Sequence, residues 1–259
     1  MTDAPETPNS SRPSPLFGRW VAPAALGAAS VALVLAALPY AQGQGDFGGK
    51  VRAYLLKNPQ VLDEMVAARE QAEAQGHVER VNAAAAANPA LLRIAASDVA
   101  FGPADAKVTV IEYFDFRCPG CKAVTPDFIR LMQANPDVRF VFRDWPILDR
   151  GNEAASAYAA RAAVAAHRQG KYLPVYQALM AERALNPERV DAVLIANGVD
   201  LARAKADMGS SDTARHLADV DTSGRVLQLQ GTPTFFINGR TTASIEPAEV
   251  AQAIRAAKG

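Results

Sequence analysis

Only two cysteines occur in the 259 residues, and they stand together as Cys118-Pro119-Gly120-Cys121, directly after the run VTVIEYFDF at 108–116. The run is dense in β-branched and aromatic residues, which predicts a strand covered on both faces. Beyond the motif, Val124, Phe128, Leu131 and Met132 recur at helical spacing, and VRFVFR at 138–143 resumes strand character. Strand, motif, helix, strand is the order that an α/β unit requires. This order puts Cys118 at a strand-to-helix junction, where unpaired backbone N–H groups and the positive helix end favour a thiolate. Cys118 is therefore the expected attacking thiolate. Cys121, one turn inward, is placed to attack the mixed disulfide and release the partner. Pro119 and Gly120, the spacers, leave that surface open to an extended chain.

Other uses of a cysteine pair fit poorly. A structural disulfide joins distant segments, whereas this pair closes only a tiny loop. A zinc site needs about four ligands, and His77, His167 and His216 lie far apart with no second cysteine pair. No metal is expected. No phosphate-gripping glycine pattern occurs either, and no cofactor is expected. The 27 Lys and Arg balance 27 Asp and Glu, so bulk charge gives no reason to expect nucleic acid as a partner.

Two further positions belong to the candidate site. Glu112 shares the strand parity of Cys118. Buried under the motif, its carboxylate would have a raised pKa and could take the Cys121 proton; the competing reading is a carboxylate at a sheet edge or facing solvent. Asp115 falls on the opposite parity and is the weaker candidate, and Arg117 reads as a solvated surface charge. In Gly231-Thr232-Pro233-Thr234, a proline opens a Phe-rich strand. A cis Thr232-Pro233 bond there could lie opposite Cys118 and offer the Thr232 backbone to an extended peptide.

The rest of the chain is read as follows. Residues 1–19, rich in Pro, Ser and Thr, predict a disordered leader. Residues 20–41 contain an uncharged apolar stretch at 21–40, long enough to cross a hydrocarbon core of about 30 Å, with Arg12 and Arg19 ahead of it. They are expected to be a transmembrane anchor or a signal peptide, a retained anchor being favoured. That places the protein in the periplasm, tethered to the inner membrane, or soluble there after cleavage. QGQGDFGG at 42–49 reads as a flexible joint. Residues 48–92 predict a helical stalk with a sparse apolar stripe that must lean either on its own catalytic domain or on copies of itself. Residues 98–259 predict the catalytic domain, with an inserted helical subdomain at about 151–225. A short strand at 234–237 turns at Asn238-Gly239, and Pro247 opens a final helix.

YFDFRCPGCK at 113–122 with GTPTFFING at 231–239 resembles the DsbA-like branch of the thioredoxin superfamily. The resemblance implies an α/β thioredoxin fold with a helical insertion and a nucleophilic Cys118 resolved by Cys121. It also implies a buried glutamate at Glu112 and a cis-proline loop at Thr232-Pro233 facing the first cysteine. VRAYLLKNPQVLDEM at 51–65 and FRDWPILD at 142–149 bring the chain closest to the stalked ScsC-like bacterial proteins. Some of these oligomerise through the stalk and shuffle disulfides, which implies a homo-oligomer and tilts the direction of exchange mildly toward isomerase. The expected partners are cysteine-containing exported proteins and a membrane redox protein. The alternative is an envelope assembly or chaperone-like protein whose dithiol is only regulatory.

Overall fold

The computed structural model describes residues 31–34 and 46–259. The leader expected over 1–19 lies outside the described residues, as does the expected span at 20–41 apart from a helical turn at 31–34. The expectation of a transmembrane anchor is corrected: among the described residues no helix is long and apolar enough to cross a membrane. Helix α1 (Phe47–Lys57) is only 11 residues long. Helix α2 (Gln60–Ala87) has the length, at 28 residues, but carries Asp63, Glu64, Arg69, Glu70, Glu73, Glu79 and Arg80 along it, each costly in hydrocarbon. The inner-membrane tether inferred from that span is corrected to the same extent: no membrane-crossing helix stands among the described residues. Residues 47–49, expected within the flexible joint, form the first turn of α1.

The chain divides into two compact units between Arg69 and Glu70. In the first, Phe47, Tyr54, Leu56, Leu62 and Met65 are each at least 60% exposed. The division falls inside the expected 48–92 stalk because the second half of α2 is core: Val81, Ala84 and Ala85 are buried, and the Asn82 side chain accepts a hydrogen bond from the Thr241 backbone N–H at 2.9 Å.

The second unit is built on a five-stranded sheet in the order β1-β3-β2-β4-β5. Its strands are β1 (Val99–Phe101), β2 (Thr109–Phe114), β3 (Arg139–Asp144), β4 (Thr234–Ile237) and β5 (Arg240–Thr241). β2 and β3 are parallel and the other pairs antiparallel. Two-residue alternation sends Val110, Glu112 and Phe114 of β2 to one face, in register with Phe140, Phe142 and Asp144 of β3. Ile111 and Tyr113 take the other face, where they join Val81, Trp145 and Phe236 in a second core. Asn238 and Gly239, with φ of 47° and 82°, make the tight turn that the sequence predicts between β4 and β5.

Between β2 and β3 runs α3 (Pro119–Ala134). The helical insertion consists of α4 (Ala155–Arg168), α5 (Tyr172–Ala181), α6 (Pro187–Ala196), α7 (Leu201–Met208) and α8 (Ser211–Val226), and α9 (Pro247–Lys258) closes the domain. Helix α4 has no cap from its own N-cap residue. Its open N–H groups at Ser156 and Ala157 are taken by the two carboxylate oxygens of Asp149, at 2.8 and 2.9 Å, so the loop after β3 fixes where the insertion begins. At the far end of the insertion, Trp145 packs against Gly224 so closely that a Cβ there would lie 2.7 Å from the indole.

Candidate active site

Strand β2 delivers the chain into α3 at Cys118, the N-cap residue, with Pro119 at the first helical position, where a missing N–H costs nothing. The Cys118 Sγ donates to the Thr232 carbonyl at 3.0 Å. Thr232-Pro233 is cis, the form that the DsbA-like resemblance implies, and its loop lies directly over the motif. Gly120 keeps this approach close: a Cβ added to it would stand 3.3 Å from Pro233 Cδ and 3.7 Å from Cys118 Sγ.

The two thiols are pushed in opposite directions. Cys118 is lowered to about 5, chiefly because the Cys121 thiol hydrogen-bonds to it. Burial opposes this shift, while a hydrogen bond from the Thr232 side chain and the backbone N–H groups of Cys121 and Gly120 reinforce it. Cys121, fully buried, is raised by burial, by its bond to Cys118 and by the nearby charge of Glu112. At neutral pH the pair therefore holds a thiolate that is 8% exposed in front of a thiol with no exposure.

Glu112 is completely buried; it is not the edge or solvent-facing carboxylate of the competing reading. Burial raises its pKa to about 8, against the stabilising hydrogen bond from Tyr176 and with the help of Asp144. The Tyr176 hydroxyl lies 3.1 and 3.4 Å from the two carboxylate oxygens and 3.3 Å from Thr125 Oγ1, which donates to the Cys121 carbonyl at 2.7 Å. Phe142 and Phe114 pack against the Tyr176 ring with centroids 4.9 and 5.2 Å away.

Sequence reasoning did not single out Tyr176, Thr125, Tyr172 or Asp144. The signal was present in Tyr172-Leu-Pro-Val-Tyr176, where a spacing of four puts both phenols on one helical face, and in the shared parity of Phe142 and Asp144. Asp144 is buried and pushed well above the usual carboxylate range by desolvation; Tyr172 donates to one oxygen at 3.4 Å and the other has no partner among the described residues. Asp115 is buried too, accepting from the backbone N–H groups of Arg117 and Leu148 and from the Ser156 hydroxyl. Arg117 is not simply solvated: it bridges Asp149 and Glu153 at 3.2 and 2.8 Å.

The sequence profile described as "Thioredoxin" matches residues 95–256, which contain every site residue named above. The chain belongs to the thioredoxin family. A second profile, "Copper resistance protein ScsC N-terminal domain", matches residues 44–75. A thioredoxin-like oxidoreductase from Silicibacter pomeroyi is 32% identical, with a TM-score of 0.59 over 64% of this chain and 95% of that one. BcfH from Salmonella enterica Typhimurium is 28% identical, with a TM-score of 0.61 over 86% of this chain and 100% of that one. The protein has the fold of the ScsC/DsbA-like thiol-disulfide oxidoreductases of the thioredoxin superfamily. The Na(+)/H(+) antiporter NhaA 3 of Salinispora tropica is 36% identical over 151 residues, and the match spans 54% of this chain and 21% of that protein. The chain thus matches only about a fifth of that curated relative's length.

Proposed function

We propose that this protein exchanges disulfides with cysteines of exported client proteins through Cys118 and Cys121, working mainly as an isomerase. The observation that carries the exchange reading is the opposed titration of the two thiols beneath a cis-proline loop, and the isomerase direction follows the resemblance to stalked ScsC-like proteins. The Cys118 thiolate attacks one sulfur of a client disulfide; the Cys118–client bond forms, the client bond breaks, and the second client sulfur leaves as a thiolate. That thiolate can attack elsewhere in the client and return Cys118 unchanged, which is isomerisation. Otherwise Cys121 gives its proton to the Glu112 carboxylate and attacks Cys118 Sγ; the Cys118–Cys121 bond forms, the Cys118–client bond breaks, and the client sulfur leaves as a thiolate, so the two electrons of the dithiol go to the client. With a pKa of about 8, Glu112 can take and return that proton near neutral pH. Thr232 and Pro233 would orient an extended client segment through the backbone. A membrane redox protein that donates electrons would keep the pair reduced.

Replacing Cys121 with Ser is expected to stop release, so that mixed disulfides with clients accumulate on Cys118 and are seen on non-reducing gels. A variant that still turned over would sink the resolving role. Acid-quenched thiol trapping in the native host should find a mainly dithiol pool; a mainly disulfide pool would make the protein an oxidase, a direction that the stabilised Cys118 thiolate also favours.

The exposed apolar residues of α1 and the start of α2 support self-association through this segment, since such surface is costly to leave in water. Sedimentation of the full chain should show an oligomer that Leu56→Glu with Leu62→Glu reduces to monomer.

A further inference from the structure

Beside the cis-proline loop lies a groove of about 340 Å³ whose far wall is not part of the sheet. Ala74, His77 and Val78 of α2 form that wall, and Thr232, Pro233 and Ile245 form the side nearest the thiols. The α2 positions are spaced i, i+3, i+4 and so share one helical face. The same face continues to Val81, which is fully buried in the core, so the wall is held by the catalytic unit. The groove is also continuous with the reacting atoms. Ile245 Cδ1 would stand 3.7 Å from a Cβ on Gly120, as Cys118 Sγ would, and the Ile245 side chain is left exposed there.

We infer that the groove between α2 and the 230–245 segment receives the stretch of client chain next to its reacting cysteine, and that Ala74, His77 and Val78 select its side chains. The inference rests on the proposed exchange with protein clients and adds the helix preceding the catalytic domain to the recognition surface. The occupant follows from continuity: a peptide whose sulfur meets Cys118 and whose backbone passes Thr232 must leave along Ile245 or away from the protein. Its chemistry follows from the lining, which holds no Asp, Glu, Lys or Arg and only one titratable side chain, His77. Burial and Arg80 lower the His77 pKa, which favours a neutral imidazole. A charged client side chain placed there would lose hydration without gaining a counter-charge, so small uncharged residues are preferred.

The test uses the full chain and two substrates: a short peptide whose cysteine is a mixed disulfide with glutathione and is flanked by Ala and Val, and a small aromatic disulfide as reference. For Ala74→Trp, which fills the groove from an exposed helix position, the ratio of peptide to reference kcat/KM should fall about tenfold. For His77→Glu, a Lys-flanked peptide should gain on a Glu-flanked one by a similar factor. Ratios within about twofold of wild type for both variants would overturn the groove. A wild-type protein that reduces the aromatic disulfide but no peptide would instead overturn the reading of protein clients on which the groove depends.

Discussion

Arg143 and Asp144 are neighbours on β3, yet they enter opposite faces of the sheet and meet opposite electrostatic settings. Arg143 is 4% exposed and fully engaged. It donates to both oxygens of Asp98 at 3.0 and 3.3 Å, to the carbonyls of Leu91 and Arg93, and to the Tyr113 hydroxyl. Asp144 and Glu112, two register positions apart on the same face of adjacent strands, are both buried, and among the described residues no Lys or Arg bonds to either. Burial unopposed by a cation raises both carboxyls. One face thus carries a fixed ion pair that ties the segment ahead of β1 to the sheet. The other, beneath the thiols, carries two acids whose charged forms burial disfavours, and of these Glu112 can change charge near neutral pH. A single pleat separates the two roles.

The comparison breaks most severely at Arg143. Arg143→Met leaves Asp98 buried without its cation and should lower the unfolding free energy by about 3–5 kcal/mol, read from urea unfolding. Adding Asp98→Leu should recover most of that loss. If the single variant costs nothing, the pair is not the fixed element described.

Glu112→Gln tests the other face, and the sign is set by a raised acid. Between its ordinary value of 4.5 and about 8, the folded state holds a proton that the unfolded chain has released. Wild-type stability therefore falls as pH rises through that window. Glutamine lacks the falling contribution. The variant should match wild type near the bottom of the window and exceed it at the top by on the order of 3 kcal/mol, somewhat less than the full linkage because a buried site relaxes. The same variant should slow the release step by roughly 10². Equal stability at every pH would mean that Glu112 does not titrate in the fold.

The sequence made one face far more legible than the other. Alternation in VTVIEYFDF put Glu112 on the Cys118 parity, and the turn and proline signals of GTPTFFING placed the loop opposite, so the chemistry of the motif could be read from local pattern. The partners of Glu112 could not. Tyr172 and Tyr176 arrive from the insertion some 60 residues later in the chain, and helical spacing says that they share a face without saying which strand that face meets. Arg143 reads locally as the polar end of a strand, because its acceptors on 91–98 are far away in sequence. Helix α2 stays open in the sequence for a related reason: its sparse stripe does not tell a catalytic core from a second copy, and the structure buries Val81, Ala84 and Ala85 of its later half in the core.

The smallest expected effect is the most specific. Tyr176→Phe keeps the ring that packs against Phe114 and Phe142 and removes only the hydroxyl, whose bond to Glu112 lowers the carboxyl's pKa against the pull of burial. Without it the Glu112 pKa should rise above about 8, by less than about one pH unit, since a single hydrogen bond contributes about 1 kcal/mol. The pH profile of the release step should move up by that amount while the Cys118 attack step, titrating near 5, stays in place. A loss of rate with no movement of the limb would make Tyr176 a packing residue. Movement of both limbs would mean that the phenol acts on the thiol pair directly, through Thr125 and the Cys121 carbonyl, and that Glu112 is not the group that takes the proton.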